Sequence, residues 1–258
     1  MDIDIEKLII AARAGGDVVK KYFGQTLDAI EKHDASDLRT KADLESEEAI
    51  LRVLEESFPG YNIFSEEAGD RNNNSEQTIV VDPLDGTNNF VLGVPYVSVS
   101  IAVIEQNEIL AGVVYNPILD QLYQAKRGLG AWFEGTRLAV NSESSIERAS
   151  ISYMQGYRET NETEGRMVAR LQGTNIKRVL TLWSPALDFC QLAAGRIEAV
   201  INNKVEIYDY AAGKLIALEA GARITDFQGQ ELKSLKDRAF IASNNTTLHG
   251  ELLKLSDI

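Results

Sequence analysis

Asp82-Pro83-Leu84-Asp85-Gly86-Thr87 places two carboxylates three residues apart, directly after an apolar strand and directly before a Gly-Thr turn. Carboxylates and backbone carbonyls are the hard oxygen donors that Mg2+ prefers. Pro83 is expected to stop the strand and set a turn that brings both acids and the Leu84 carbonyl to one side. If Gly86, Thr87 and Asn88 open a short helix, their amides form a cradle for an anion next to that metal site. Taken alone, the run reads better as an Asp-capped turn, since Asp, Gly and Thr are ordinary turn residues. Three further acids change the balance: Glu66-Glu67 at the end of another strand and Asp209 at the head of a helix. Acids clustered in this way need cations.

The charge of the whole chain points the same way. Its 258 residues carry a formal net charge of −13, a field that repels nucleic-acid polymers and anionic membrane surfaces. The same field repels a small phosphate ester, so a phosphate-handling site needs a local cation to reverse the sign. Cys190 is the only cysteine and lies in an apolar helical run, and neither His33 nor His249 has a motif around it. No covalent phosphoenzyme on Cys or His is expected. The acidic N-terminus, unlike a signal peptide, and the lone cysteine set a cytoplasmic expectation. No apolar run approaches the roughly 20 residues of a spanning helix.

These residues must be positioned by a sizeable core, which a 44% hydrophobic chain of this length can supply. Apolar residues from Ile5 to Phe23 recur at helical spacing and stop at Gly24, and a second helix follows Thr40-Lys41-Ala42-Asp43 and stops at Pro59-Gly60. Asp43 falls in its first turn. Strands at 61–64 and 78–81 both run into carboxylates, and the polar stretch 69–75 between them reads as an exposed loop. Residues 96–104 and 109–115 predict a central antiparallel meander, continued by short strands at 122–123 and 132–133. The second part interleaves strands at 150–153 and 199–201 with helices at 186–194 and 211–220, an α/β texture. With no linker between them, the expected halves, 1–145 and 146–258, pack tightly as one α/β (α+β) unit.

Taken together, Glu66-Glu67, the DPxDGT run at 82–87, Asp-x-Ala-Ala at 209–212 leading into Leu218-Glu219-Ala220-Gly221-Ala222, and Ala186-Leu187-Asp188 followed by Ala193-Ala194-Gly195-Arg196 resemble the inositol monophosphatase family of lithium-sensitive, Mg2+-dependent phosphatases. The resemblance spans nearly the whole chain. It implies a layered αβαβα sandwich with a central, mainly antiparallel sheet and a second, smaller α/β half. It also implies that Glu66, Asp82 and the Leu84 carbonyl hold one Mg2+, that Asp82, Asp85 and Asp209 hold a second, and that Glu66 with waters holds a weaker third. Asp43 with Thr87 would orient and deprotonate the attacking water, with Glu66 in a catalytic role beside them. Asp85, Gly86, Thr87 and Asp209 would face the phosphate, with Ser184, Pro185 and Asn202 as the substrate wall. Lys32 matches a family lysine near the phosphate, a solvated surface lysine being the alternative, and Glu67 is a further candidate.

Mn2+ is the implied substitute cofactor, with Ca2+ and Li+ as inhibitors; a small phosphorylated metabolite is the implied partner, and a homodimer the implied assembly. Four departures stand out: Ser65 replaces a usual Gly, Tyr208 a usual Trp, Pro185 a small residue, and Asn202 an acid that bonds sugar hydroxyls. Inositol 1-phosphate is the favoured substrate. Fructose 1,6-bisphosphate, histidinol phosphate, 3'-phosphoadenosine 5'-phosphate and NADP stay open, because the family uses one metal core for all of them. A haloacid-dehalogenase-type phosphatase is disfavoured by the DxxD spacing, and a non-catalytic divalent-ion module by the presence of both Asp43 and Thr87.

Overall fold

The structure is a computed structural model and describes residues 3–32, 37–157 and 159–255. His33 therefore lies outside the described residues. The chain opens with α1 (Ile5–Tyr22), whose first turn is capped by the Asp4 carboxylate accepting from the Glu6 amide. A short pair, β1 (Ile30–Glu31) and β2 (Leu38–Arg39), leads into α2 (Lys41–Ser57). At the head of α2, Thr40 and Asp43 form a reciprocal capping box, so Asp43 is held by the same bonds that start the helix.

The next eight strands form one sheet. They are β3 (Asn62–Ser65), β4 (Gly69–Arg71), β5 (Gln77–Asp85), then, after α3 (Thr87–Leu92), β6 (Ser98–Glu105), β7 (Glu108–Asn116), β8 (Gln121–Lys126), β9 (Gly130–Phe133) and β10 (Thr136–Arg137). Their order is β10-β9-β8-β7-β6-β5-β3-β4, antiparallel throughout except for the parallel β3–β5 pair. That one parallel pair sends β3 and β5 in the same direction. Glu66 and Asp82 therefore emerge at the same end of the sheet.

A second, five-stranded mixed sheet has the order β12-β11-β13-β15-β14, from β11 (Ser150–Gln155), β12 (Arg178–Leu180), β13 (Ala199–Asn203), β14 (Arg223–Thr225) and β15 (Ala239–Ser243). The helices α4 (Asn161–Gln172), α5 (Pro185–Ala193), α6 (Ile207–Glu219) and α7 (Leu248–Leu255) complete the chain. One apolar cluster joins α1 and α2 to the first sheet, a second joins α5 and α6 to the facing sides of both sheets, and a third joins α4 and α7 to the outer face of the second sheet. The result is the αβαβα sandwich. Both α5 and α6 are apolar nearly all round because they are buried between two sheets. Small residues let them approach: a Cβ on Gly213 would come within 2.7 Å of the Ala186 carbonyl oxygen.

Two local expectations are corrected. Pro83 does not stop its strand; β5 runs on to Asp85, and its register against β6 shifts between Asp82↔Ser100 and Asp85↔Ser98. Three steps on one strand against two on the other make a bulge, where a proline lacking an N–H costs no ladder bond. Residues 69–71 of the supposed loop form the edge strand β4, their polar side chains suiting an exposed edge. Among the described residues, no helix is long and apolar enough to cross a membrane.

Candidate metal centre

The bulge, the head of α3 and the head of α6 converge. Carboxylate oxygens of Asp82, Asp85 and Asp209 all lie within 4.8 Å of one another. Each acid has one oxygen engaged by the protein. Asp82 Oδ1 accepts from the Leu84 amide at 3.0 Å, and Asp209 Oδ2 from the Glu206 amide at 3.1 Å. Asp85 Oδ2 accepts three bonds, from Ser184 Oγ at 2.7 Å, the Ala186 amide at 3.0 Å and Ser98 Oγ at 3.1 Å. Among the described residues no nitrogen or hydroxyl donor is recorded on the other oxygens, and the Asp82 and Asp209 carboxyls approach closely enough to share a proton.

The electrostatics fit a cation. Burial, followed by the charges of Asp85 and Asp209, holds Asp82 well above the carboxylate range. Burial and then Glu66 and Asp85 do the same for Asp209. Asp85 is pushed up to about 7, chiefly by burial, against the lowering effect of its three donors. Three mutually repelling acids with all-oxygen donors and no basic side chain among them suit a hard divalent ion.

Beside them stands the proposed water-handling pair. Thr87 Oγ1 donates to Asp43 Oδ1 at 2.9 Å and lies 3.1 Å from the Leu84 carbonyl oxygen. Asp43 Oδ2 is occupied by the Thr40 amide and hydroxyl, at 2.7 and 2.6 Å. Gly86 caps α3 at φ 90°, and a Cβ there would meet the Trp183 and Tyr96 carbonyl oxygens at 3.1 Å. Only glycine fits this turn. Ser46 Oγ donates to the Pro83 carbonyl at 2.8 Å, tying the bulge to α2.

The Glu66-Glu67 pair is balanced differently. Lys32 donates to Glu66 Oε1 at 2.8 Å and contacts Glu67, and Arg39 lies 3.3 Å from Glu67 Oε2. Burial alone would lower the Lys32 ammonium, but the two glutamates outweigh it and hold it above the lysine range. The solvated-lysine alternative is thereby excluded. Glu66 is raised well above its ordinary value by burial and by Asp82, with Lys32 pulling it back.

Of the expected wall, Pro185 is partly exposed, but Ser184 is fully buried behind Asp85. Asn202 is a correction: it is enclosed in β13 and its Nδ2 donates to the Arg238 carbonyl at 2.5 Å, so it offers no surface to a ligand. Tyr208 packs against Phe64, ring centroids 6.1 Å apart. Cys190 is buried in α5, and burial pushes its thiol up. His249 is bonded on both ring nitrogens, to Thr225 and Ser243, and is pushed down to about 4 chiefly by burial.

Three contributors escaped the sequence reading. Glu47 Oε1 accepts from Ser65 Oγ and from the Glu67 and Ala68 amides, bracing the strand end that carries Glu66. Its signal was present, since Asp43 and Glu47 share a helix face at i, i+4. Tyr157, 49% exposed, accepts from Asn88 Nδ2 at 3.3 Å, and burial together with the negative charges of Asp209, Asp37 and Glu66 raises its hydroxyl. Trp183, 56% exposed at φ 55°, precedes Ser184 and lies against Gly86. Neither aromatic sits in a motif.

The family model described as Inositol monophosphatase family matches residues 4–258. The chain belongs to the inositol monophosphatase family. It is 32% identical over 250 residues to a Thermotoga maritima protein named fructose-1,6-bisphosphatase/inositol-1-monophosphatase, covering 94% of this chain and 91% of that one. It is also 36% identical over 227 residues to a Pasteurella multocida protein named Nus factor SuhB, covering 86% and 84%. Among solved structures, an extragenic suppressor protein SuhB from Bartonella henselae superposes with a TM-score of 0.91 at 30% identity, covering 98% of each chain. Membership of this family supports a metal-dependent phosphatase acting on small phosphorylated substrates.

Proposed function

We propose that the chain is a Mg2+-dependent phosphomonoester hydrolase acting on inositol 1-phosphate, by direct attack of water without a covalent intermediate. The observation that carries this reading is the convergence of Asp82, Asp85 and Asp209 within 4.8 Å with no basic side chain among them, Asp82 and Asp209 close enough to share a proton that a cation would displace. Glu66, Asp82 and the Leu84 carbonyl would hold one ion, Asp82, Asp85 and Asp209 a second, and Glu66 with waters a third. Bound Mg2+ supplies positive charge to the phosphoryl oxygens and acidifies the attacking water.

The protein's own groups do the rest. Asp43 Oδ1 takes the Thr87 hydroxyl proton as the Thr87 oxygen accepts one from the attacking water, so the proton ends on Asp43. The amides of Gly86 and Thr87 cradle the phosphate. Pro185, Tyr157 and Trp183 form the substrate rim in place of Asn202. Residues 1–145 supply most ligands and residues 146–258 supply Asp209 and the rim, packed as one unit. The protein acts in the cytoplasm, and as a homodimer, the assembly being supported by the exposed Val91, Leu92 and Val94 around the end of α3. Sedimentation checks the assembly.

A second reading is fructose 1,6-bisphosphate hydrolysis, favoured by the similarity to the Thermotoga maritima fructose-1,6-bisphosphatase/inositol-1-monophosphatase. A panel of phosphate esters, each assayed with and without Mg2+, tests both. Inositol 1-phosphate should give the highest kcat/KM; a higher value for another ester reassigns the substrate, and no release from any ester at high enzyme refutes the hydrolase.

A further inference from the structure

A buried cation lies well away from the carboxylates. Lys214 is five residues beyond Asp209 on α6, about 7.5 Å further along the helix axis. Its side chain is only 5% exposed. The ammonium lies 4.7 Å from the Phe240 ring centroid and 5.7 Å from that of Tyr210. Those rings satisfy one side of the charge, but among the described residues nothing hydrogen-bonds its three N–H donors. Burial pushes Lys214 down to about 8, and the one charge that offsets this is Asp237. The Asp237 carboxylate is itself engaged by the Lys233 and Ser234 amides at 2.8 and 2.9 Å. The ammonium tip keeps some solvent contact, but a charge so largely desolvated is still costly.

Lys214 lines a cavity of about 220 Å³ whose other basic groups are Arg127 and Lys233. The lining contains no carboxylate, in a chain of net charge −13. Its remaining walls are mostly aliphatic, with Ile109, Leu215, Leu218, Ile224, Leu232 and Leu235. Arg127 is paired with Glu108 at 2.7 Å at the exposed side, so Lys214 is the deep charge.

We propose that this cavity is a second ligand site, for a small organic carboxylate with a branched aliphatic body, held by the Lys214 ammonium. The aliphatic walls disfavour inorganic phosphate, which would lose hydration there without regaining bonds. A groove of about 220 Å³ has room for a small organic acid of a few carbons. The site is distinct from the reaction centre, and its test does not depend on the proposed substrate.

Isovalerate is the probe, titrated calorimetrically into the Mg2+-loaded enzyme under saturating inorganic phosphate, which occupies the carboxylate centre. Saturable one-to-one binding is expected, weakened about tenfold or more in Lys214→Met, with none for the neutral isovaleramide. Absence of binding to the wild type, equal binding to Lys214→Met, or equal binding of the amide overturns the proposal. If Lys214→Met fails to fold, NMR of 13C-labelled lysine in the wild type decides. Isovalerate should move the Lys214 titration midpoint upward, and an unmoved midpoint refutes the site.

Discussion

The molecule balances two neighbouring groups of acids in opposite ways. Glu66 and Glu67 carry their counter-charges within the chain, from Lys32 and Arg39. Asp82, Asp85 and Asp209 have none, and their protein donors use only half of their oxygens. The first arrangement is balanced at Glu67, while Glu66, which shares Lys32, is still raised by burial and by Asp82 and faces the cation site as well. The second is strained by its own repulsion until a cation arrives, which is the cost of a site whose charge is reserved for metal.

The largest effect that tests this contrast is Asp85→Asn. Turnover should fall by at least about a hundredfold, while the fold persists, because an amide oxygen still accepts from Ser184, Ser98 and Ala186. In metal-free buffer the variant should melt no lower than the wild type, having lost a repelling charge. A fully active Asp85→Asn enzyme refutes the metal assignment. Next in size is Thr87→Ala, expected to lower kcat by roughly a hundredfold with little change in KM, since it removes the oxygen that accepts the water's proton. A pure rise in KM contradicts that role.

The pH dependence follows from the same repulsion. Burial raises Asp85 to about 7 in the fold from an ordinary value of 3.8, and Asp82 and Asp209 are raised as well, by burial and by their neighbours' charges. A raised acid contributes stability that is complete below its unfolded value and is lost as pH climbs through its folded one. Metal-free protein should therefore lose the Asp85 contribution between about pH 4 and 7, with raised Asp82 and Asp209 adding losses of the same sign. Mg2+ stabilises the charged forms, so the rise in melting temperature on adding it should grow from pH 5 to pH 8. A Mg2+ effect that is flat with pH breaks the contrast.

Much of this was legible in the sequence because Asp43, Glu66, Asp85 and Asp209 stand at or beside the ends of elements and Asp82 at the bulge where an apolar run stops. Periodicity marks where a helix or strand stops; Asp43 and Asp209 also cap their helices there, so it is the number of acids at such points that capping does not explain. The αβαβα layering was carried by the family resemblance, whose motifs sit at the same ends. What stayed hidden depends on contacts between distant segments. Asn202 has the sequence context of a wall residue, yet Arg238, 36 positions on, takes its amide. Tyr157 reaches Asn88 across 69 positions, and Lys214 meets its cavity only after β14 and the segment from Leu232 to Leu235 fold over it. Pro83 misled because a proline predicts a strand end, whereas a bulge accommodates it just as well.

Glu47 gives the smallest and most discriminating effect. It is an acid in the same neighbourhood, but it acts as a brace: one oxygen, Oε1, gathers Ser65 Oγ and the Glu67 and Ala68 amides, both at 3.0 Å. A glutamine in its place can present its carbonyl oxygen to the same three donors, losing only the charge-assisted part of each bond. Glu47→Gln should therefore cost about 1 kcal/mol, a fall of roughly 2–4 °C in melting temperature for a chain of this size, and alter kcat less than tenfold. Mg2+ affinity should stay within a few-fold of wild type, since Glu47 keeps Glu66 in place without facing the cation. If Glu47→Gln instead matched Asp85→Asn in lost turnover and lost Mg2+ binding, the division between acids that brace and acids that hold charge in reserve would fail, and Glu47 would belong to the metal centre.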